Sequence, residues 1–134
     1  MRDYVNALLT QNGTVLLARR AVHRDDRPNE WNPPGGRVEP GESIEDALAR
    51  ELQEETGLTP VAFRKLGTMD DPRPGYADVA YHMYIVTGWS GGEPRLLGDE
   101  HSELRWFAID EACARTDLAF DTYVPFFRRL NEPG

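Results

Sequence analysis
One cysteine, Cys113, stands in 134 residues, so the chain forms no intramolecular disulfide and no multi-cysteine zinc site. A lone thiol suits a reducing compartment, and the sequence reads as cytoplasmic. Long apolar runs are missing as well. Nothing reaches the roughly 18 uninterrupted apolar residues of a membrane span, and Met1-Arg2-Asp3-Tyr4 lacks the apolar run of a secretory signal, so neither membrane nor export is expected. Positive charge is scarce: Lys+Arg 15 against Asp+Glu 23 gives -8. That field repels polyanions and argues against a nucleic-acid polymer as partner. A small phosphorylated substrate stays compatible if metal or arginine reverses the field at one site. Repeats and low-complexity tracts are absent, and the length suits one domain over 1–134 whose core needs no staple.

What is present is a mixed pattern. Tyr4 to Thr10 and Thr14 to Arg20 are apolar-rich and joined at Gln11-Asn12-Gly13, which predicts an opening antiparallel hairpin. From Ala21 to Glu30 (His23, Arg24, Asp25, Asp26, Arg27, Pro28) the chain turns charged and unpatterned, a surface loop. Trp31-Asn32-Pro33-Pro34-Gly35-Gly36 excludes helix and allows a close backbone approach. Ser43 to Thr56 reads as the one long helix, with Ser43 as N-cap, Asp46 three residues on, and Gly57 as the stop. Val61 to Thr68, Asp78 to Trp89 and Leu104 to Ile109 read as strands. A short helix is expected near Asp110, and a last one through Leu130, capped by Asp121 and holding Pro125 in its first turn.

On a wheel of about 100° per residue, Ile44, Ala47, Leu48 and Leu52 share one arc of the long helix. Glu51, Glu54 and Glu55 fall in or beside that arc, while Glu45, Asp46, Gln53 and Thr56 take the opposite side. Three carboxylates are therefore expected to point inward. Like charges three and four apart cost roughly 0.2–0.5 kcal/mol per pair even when exposed, and more when buried. Arginine, protonation or a divalent cation could relieve them. Arg50 pairs with Glu54 at i,i+4, but one arginine does not neutralise three carboxylates. Clustered carboxylate oxygens suit Mg²⁺ or Mn²⁺ better than zinc.

Read from Gly36, the chain gives Gly36, five residues, Glu42, seven residues, Arg50-Glu51-Leu52, Gln53, Glu54-Glu55, Thr56 and Gly57-Leu58. The stretch 36–58 resembles a complete Nudix box, and Trp31 to Gly36 resembles the approach to one. The resemblance implies an α/β/α sandwich with a mixed β-sheet flanked by helices. It also implies divalent-metal-dependent hydrolysis of a nucleoside diphosphate linked to another group. It assigns Glu51, Glu54 and Glu55 to metal binding and water activation, adds the Gly35 carbonyl as a further ligand, and gives Arg50 the task of holding the carboxylates. Glu42 is supportive. The general base is expected at Glu51, with a residue of the loop Gly98-Asp99-Glu100-His101-Ser102-Glu103 as rival; there Glu100 is favoured over Glu103 as the additional acidic ligand or base.

Outside the box, Arg20, and less so Arg19, is a candidate for substrate phosphates. Asp121 falls where MutT-like relatives place a polar residue that reads a nucleobase edge, although an N-cap explains it equally. His101 reads as an exposed loop histidine with a possible positioning or acid-base role; His23 and His82 carry less. Trp31, Phe63, Tyr76, Tyr81, Tyr84, Trp106 and Phe120 offer stacking surface, but strand aromatics usually build the core, as expected for Trp106. Asp70 to Gly75 reads as a tight loop without calcium-ligand spacing, and Cys113 as a bystander. The leading reading is an enzyme of MutT-like size that cuts a nucleoside triphosphate or modified nucleotide to a monophosphate and pyrophosphate. ADP-ribose, dinucleoside polyphosphates and nucleotide sugars are alternative substrates, and a non-catalytic nucleotide-binding regulatory module is the alternative of another class. Nothing in the sequence chooses between monomer and homodimer.

Overall fold
The computed structural model describes residues 2–23 and 28–131. Strands β1 (Arg2–Gln11) and β2 (Thr14–Arg20) form the expected hairpin. Asn12 at φ 52 and Gly13 at φ 75 supply the two positive φ values a type I′ turn requires. The charged loop foreseen over 21–30 is described at its ends only, and residues 24–27 lie outside the described residues.

Two short strands follow, β3 (Trp31–Asn32) and β4 (Gly35–Arg37). Neither is legible in the sequence, because strands of two and three residues exist only through the partners they meet: β3 pairs β2, and β4 pairs β1. Helix α1 (Ile44–Thr56) matches its reading closely. The Ser43 side chain accepts a hydrogen bond from the Asp46 N–H at 3.0 Å, and Gly57 at φ 77 closes the helix in the left-handed region. Then come β5 (Thr59–Asp70), β6 (Val79–Ser90) and β7 (His101–Ala108), the last beginning three residues before its expected start. Helices α2 (Ile109–Ala114) and α3 (Val124–Arg129) end the fold. Asp121 opens a 3-10 turn, Asp121–Tyr123, instead of capping α3, and no side chain caps that turn.

The sheet is mixed. Its order is β3-β2-β1-β6-β5, with β4 also on β1 and β7 on β2; β1 and β6 run parallel, and the other pairs are antiparallel. Being central, β1 is buried continuously from Val5 to Leu9, as a strand covered on both faces must be. One face packs Val5, Ala7, Leu9 and Leu16 against Leu48 and Leu52 of α1. The opposite face packs Leu8, Val15, Leu17 and Phe107 against Ala112 of α2 and Phe127 of α3. The architecture is thus the foreseen sandwich of helices around a mixed sheet.

Several side chains depart from their expected places. Thr56 is fully buried, not solvent-facing: its hydroxyl donates to the Leu52 carbonyl at 2.7 Å, and the Arg95 N–H donates to its own carbonyl at 3.0 Å. A loop folded over the end of α1 covers it, which a wheel cannot foresee. Trp31 belongs to the core, edge-on to Phe107 at 4.9 Å between ring centroids. Trp106 is only half-buried and stacks on Trp89 at 5.9 Å.

Candidate active site
Helix α1, strand β4 and the start of β7 converge on a cavity of about 430 Å³. One end is acidic. Glu51, Glu54, Glu100 and His101 line it together with Gly35, Gly36 and Arg20. Glu55 lies behind them, buried at 7 % exposure.

The three α1 carboxylates are graded in depth, not uniformly inward. Glu55 is buried, Glu51 is largely covered, and Glu54 stands at the rim with 57 % of its side chain exposed. Position 54 lies at the edge of the apolar arc, where the helix surface already meets solvent. Burial pushes the Glu55 pKa well above the ordinary carboxylate range, and the charges of Glu100 and Glu51 push it further. Burial also raises Glu51, against the opposing hydrogen bond from Arg50.

Arg50 organises the outer part of the site. Its guanidinium donates to Glu42 at 2.8 and 2.9 Å, to Glu51 at 2.8 Å, to Glu54 at 3.5 Å and to the Arg37 carbonyl at 3.0 Å. Glu42, seen in the sequence only as supportive, is the anchor of this arginine, whose hydrogen bonds lower its pKa to about 2. Glycines bring β4 close. The Gly35 N–H donates to Glu55 Oε2 at 3.0 Å, so the amide of Gly35 is what meets this carboxylate. A Cβ on Gly36 would lie 2.5 Å from the Glu51 carboxyl carbon. Only glycine lets the strand lie against that side chain.

From the other side comes β7. Glu100 faces Arg20 at 3.5 Å, and His101 Nδ1 stands 3.4 Å from Glu55 Oε1. His101 is buried, not exposed, because it belongs to β7 and not to the preceding loop. Ligand atoms of Glu55, Glu100 and His101 all lie within 4.8 Å of one another. Glu51 and Glu54 stand outside that compact trio. Glu55 Oε1 is buried and makes no hydrogen bond among the described residues. A buried carboxylate oxygen that makes no hydrogen bond among the described residues, in an oxygen-rich donor set, fits a divalent cation.

Aromatic rings in mutual contact, Tyr4, Tyr81, Phe120 and Tyr123, line another part of the cavity, together with Asn32 and with Asn6, which pairs with Gly35. Asn32 Oδ1 is buried without a hydrogen bond among the described residues. Arg73 joins them, held by Asp71 through bonds of 3.0 and 2.7 Å and lying 3.8 Å from the Tyr76 ring centroid. Burial alone would raise Asp71, but these bonds and the Tyr81 hydroxyl outweigh it, and its pKa is lowered. Asn6 and Asn32 were not singled out from the sequence. Asn6 does leave a signal, a polar residue within the apolar run Val5–Leu9, since a buried polar side chain is the informative exception in a core strand. Asp121 is exposed and is not among the cavity-lining residues, and Arg19 points to Glu103 at 3.9 Å. His82 bonds Asp3 at 2.9 Å and His23 stands 3.9 Å from Asp99, both apart from the carboxylates.

A model of the NUDIX domain matches residues 1–130. The chain belongs to the Nudix hydrolase family. The Nudix relatives include a nucleoside triphosphatase, NudI, of Salmonella arizonae, 32% identical over 118 residues, covering 82% of this chain and 84% of that protein. Among solved structures, a MutT Nudix hydrolase from Burkholderia pseudomallei superposes with a TM-score of 0.83 at 28% identity, covering 97% of this chain and 98% of the other. A MutT protein from Methanosarcina mazei Go1 gives the same score and identity over 98% and 96%. Nudix hydrolases act on small nucleotide substrates, and enzymes of this family generally use a divalent metal. No helix among the described residues is long and apolar enough to cross a membrane.

Proposed function
We propose that this Nudix enzyme cleaves a nucleoside triphosphate, normal or modified, to a monophosphate and pyrophosphate with Mg²⁺ or Mn²⁺. The observation that carries the reading is the mixed lining of one cavity: graded carboxylates together with a cluster of aromatic rings and amides. Its volume falls in the range of small-ligand clefts. The similarity to a nucleoside triphosphatase supports the same substrate class.

Glu51, Glu54, Glu55 and Glu100, with the Gly35 carbonyl, would hold the cation. Bound there, it would neutralise phosphate oxygens and acidify a water. A diphosphate bridge resists hydrolysis because its anionic oxygens repel the incoming nucleophile. Arg20, lining the cavity beside Glu100, meets a phosphate and orients it. Glu51 is the general base, since burial raises its proton affinity toward working pH and Arg50 fixes its direction. Glu100 is its rival. Tyr81 and Phe120 give the base a face to lie against, and the Asn32 amide oxygen awaits a donor on the base edge. Asp121, exposed and outside the lining, is given no contact with the nucleotide in this reading. The free thiol of Cys113 supports a cytoplasmic site of action.

A panel of normal and oxidised nucleoside triphosphates, ADP-ribose, dinucleoside polyphosphates and nucleotide sugars tests the proposal, with Mg²⁺ or Mn²⁺ present, EDTA as control and chromatographic separation of products. A triphosphate giving monophosphate and pyrophosphate only with metal is the expected result, and kcat of Glu51→Gln should fall about 10²–10⁴-fold. Turnover of a different class reassigns the substrate. Binding without turnover of any nucleotide replaces the enzyme reading with a nucleotide-binding module.

A further inference from the structure
We propose that His101 gives an imidazole nitrogen to the divalent cation held by Glu55 and Glu100, and that the site therefore takes Mn²⁺ in preference to Mg²⁺. The inference rests on the preceding reading only in requiring that a cation bind there.

Strand register carries the first step. In the β2–β7 ladder Leu16 faces Trp106, Ala18 faces Leu104 and Arg19 faces Glu103, yet Arg20 faces His101. The pairing slips by one, leaving Ser102 as the extra residue on β7. Side chains alternate across a sheet, so an unbroken β7 would put His101 with Glu103, Arg105 and Phe107, on the face of α2 and α3. The bulge turns it over to the face of Leu104 and Trp106, which is the face of α1. There it meets Glu55.

Position and chemistry carry the rest. Only 3% of the His101 side chain is exposed, and its Nδ1 is 3.4 Å from Glu55 Oε1, the oxygen that makes no hydrogen bond among the described residues. Neighbouring ligand atoms on one octahedral ion about 2.1 Å away stand about 3 Å apart, close to this separation. Magnesium selects oxygen ligands and sheds water reluctantly, whereas imidazole affinity rises along the first transition row from manganese onward. A set of two carboxylates and one imidazole thus discriminates between ions that four glutamates would treat more alike.

Pulsed electron paramagnetic resonance of the intact protein loaded with Mn²⁺ alone tests this. The expected spectrum carries nitrogen-14 modulation of an imidazole, which changes to the nitrogen-15 pattern when the protein is grown with labelled histidine. The modulation should vanish in His101→Gln and persist in His23→Gln and His82→Gln. Calorimetry should show Mn²⁺ bound about tenfold more tightly than Mg²⁺, with the ratio falling toward unity in His101→Gln. The labelling arm needs no substitution, so it stands even if His101→Gln fails to fold. Mn²⁺ bound without nitrogen coupling, or with coupling that survives His101→Gln in the folded protein, overturns the inference and leaves the carboxylate site intact. Failure of Mn²⁺ to bind at all would sink both this inference and the metal-dependent reading beneath it.

Discussion
Arg50 shows how much one side chain settles in this site. It spans Glu42, Glu51, Glu54 and the Arg37 carbonyl at once, a task for a planar fork of five donors. Lysine offers a single point charge that cannot hold those directions. Arg50→Lys should therefore keep the fold while kcat drops about 10–100-fold, a fall of the size seen when the groups that orient metal ligands are lost; parent-like kcat in steady-state assays would remove Arg50 from the site's architecture. Residue identity here was legible, because the spacing around Arg50 is a local property of one helix. The depth of each glutamate was not. Thr56 is buried by the loop over the C-terminal end of α1, invisible to a wheel, and Glu54 is exposed because it sits at the edge of the apolar arc.

Among the elements, α1 announced itself through its cap at Ser43 and stop at Gly57, and the first hairpin through Asn12-Gly13. These signals act within four residues. Strand β4 and the first three residues of β7 gave no such notice: β4 is defined by its pairing to β1, and the bulge that places His101 depends on register with β2. Gly57 has a second duty at the end of α1. Its φ of 77 suits glycine, and an added Cβ would strike the Arg95 guanidinium. Gly57→Ala should cost about 1–2 kcal/mol, the penalty of a left-handed L-residue, and should also disturb the loop carrying Glu100. Chemical denaturation together with kcat/KM checks this, and unchanged values in both would detach the loop from the helix end.

For the whole molecule, the buried carboxylates set stability against function. A carboxyl raised in the folded state binds its proton more tightly folded than unfolded. Glu55 and Glu51 therefore stabilise the metal-free protein below their unfolded value near 4.5, and that contribution is lost as pH rises through the folded values. Glu42 runs the other way: lowered to about 2, it stabilises above 4.5 and is lost as pH falls. In EDTA the melting temperature should peak near about pH 5 and decline toward neutrality, while saturating Mn²⁺ should move the peak upward by replacing the proton. Glu55→Gln should flatten the neutral decline and abolish the gain from metal. Scanning calorimetry across pH, with and without ion, decides it; a metal-free protein that keeps gaining stability from pH 5 to 7 would contradict the burial of these groups.

The segment between β6 and β7 is tied to α1 through main-chain atoms. The Arg95 N–H reaches the Thr56 carbonyl at 3.0 Å, and the Leu97 N–H reaches the Glu55 carbonyl at 3.3 Å. Amide groups are common to every residue but proline, so these two ties ask little of the side chains at 95 and 97, whereas Gly91 must stay glycine: its φ is 109 and an added Cβ would lie 2.7 Å from the Gly57 carbonyl oxygen. Exposed positions of the segment such as Glu93 and Leu96 can change without loosening the two ties or moving Glu100. The backbone that carries Glu100 can thus be inherited unchanged while the outward face of the segment diversifies.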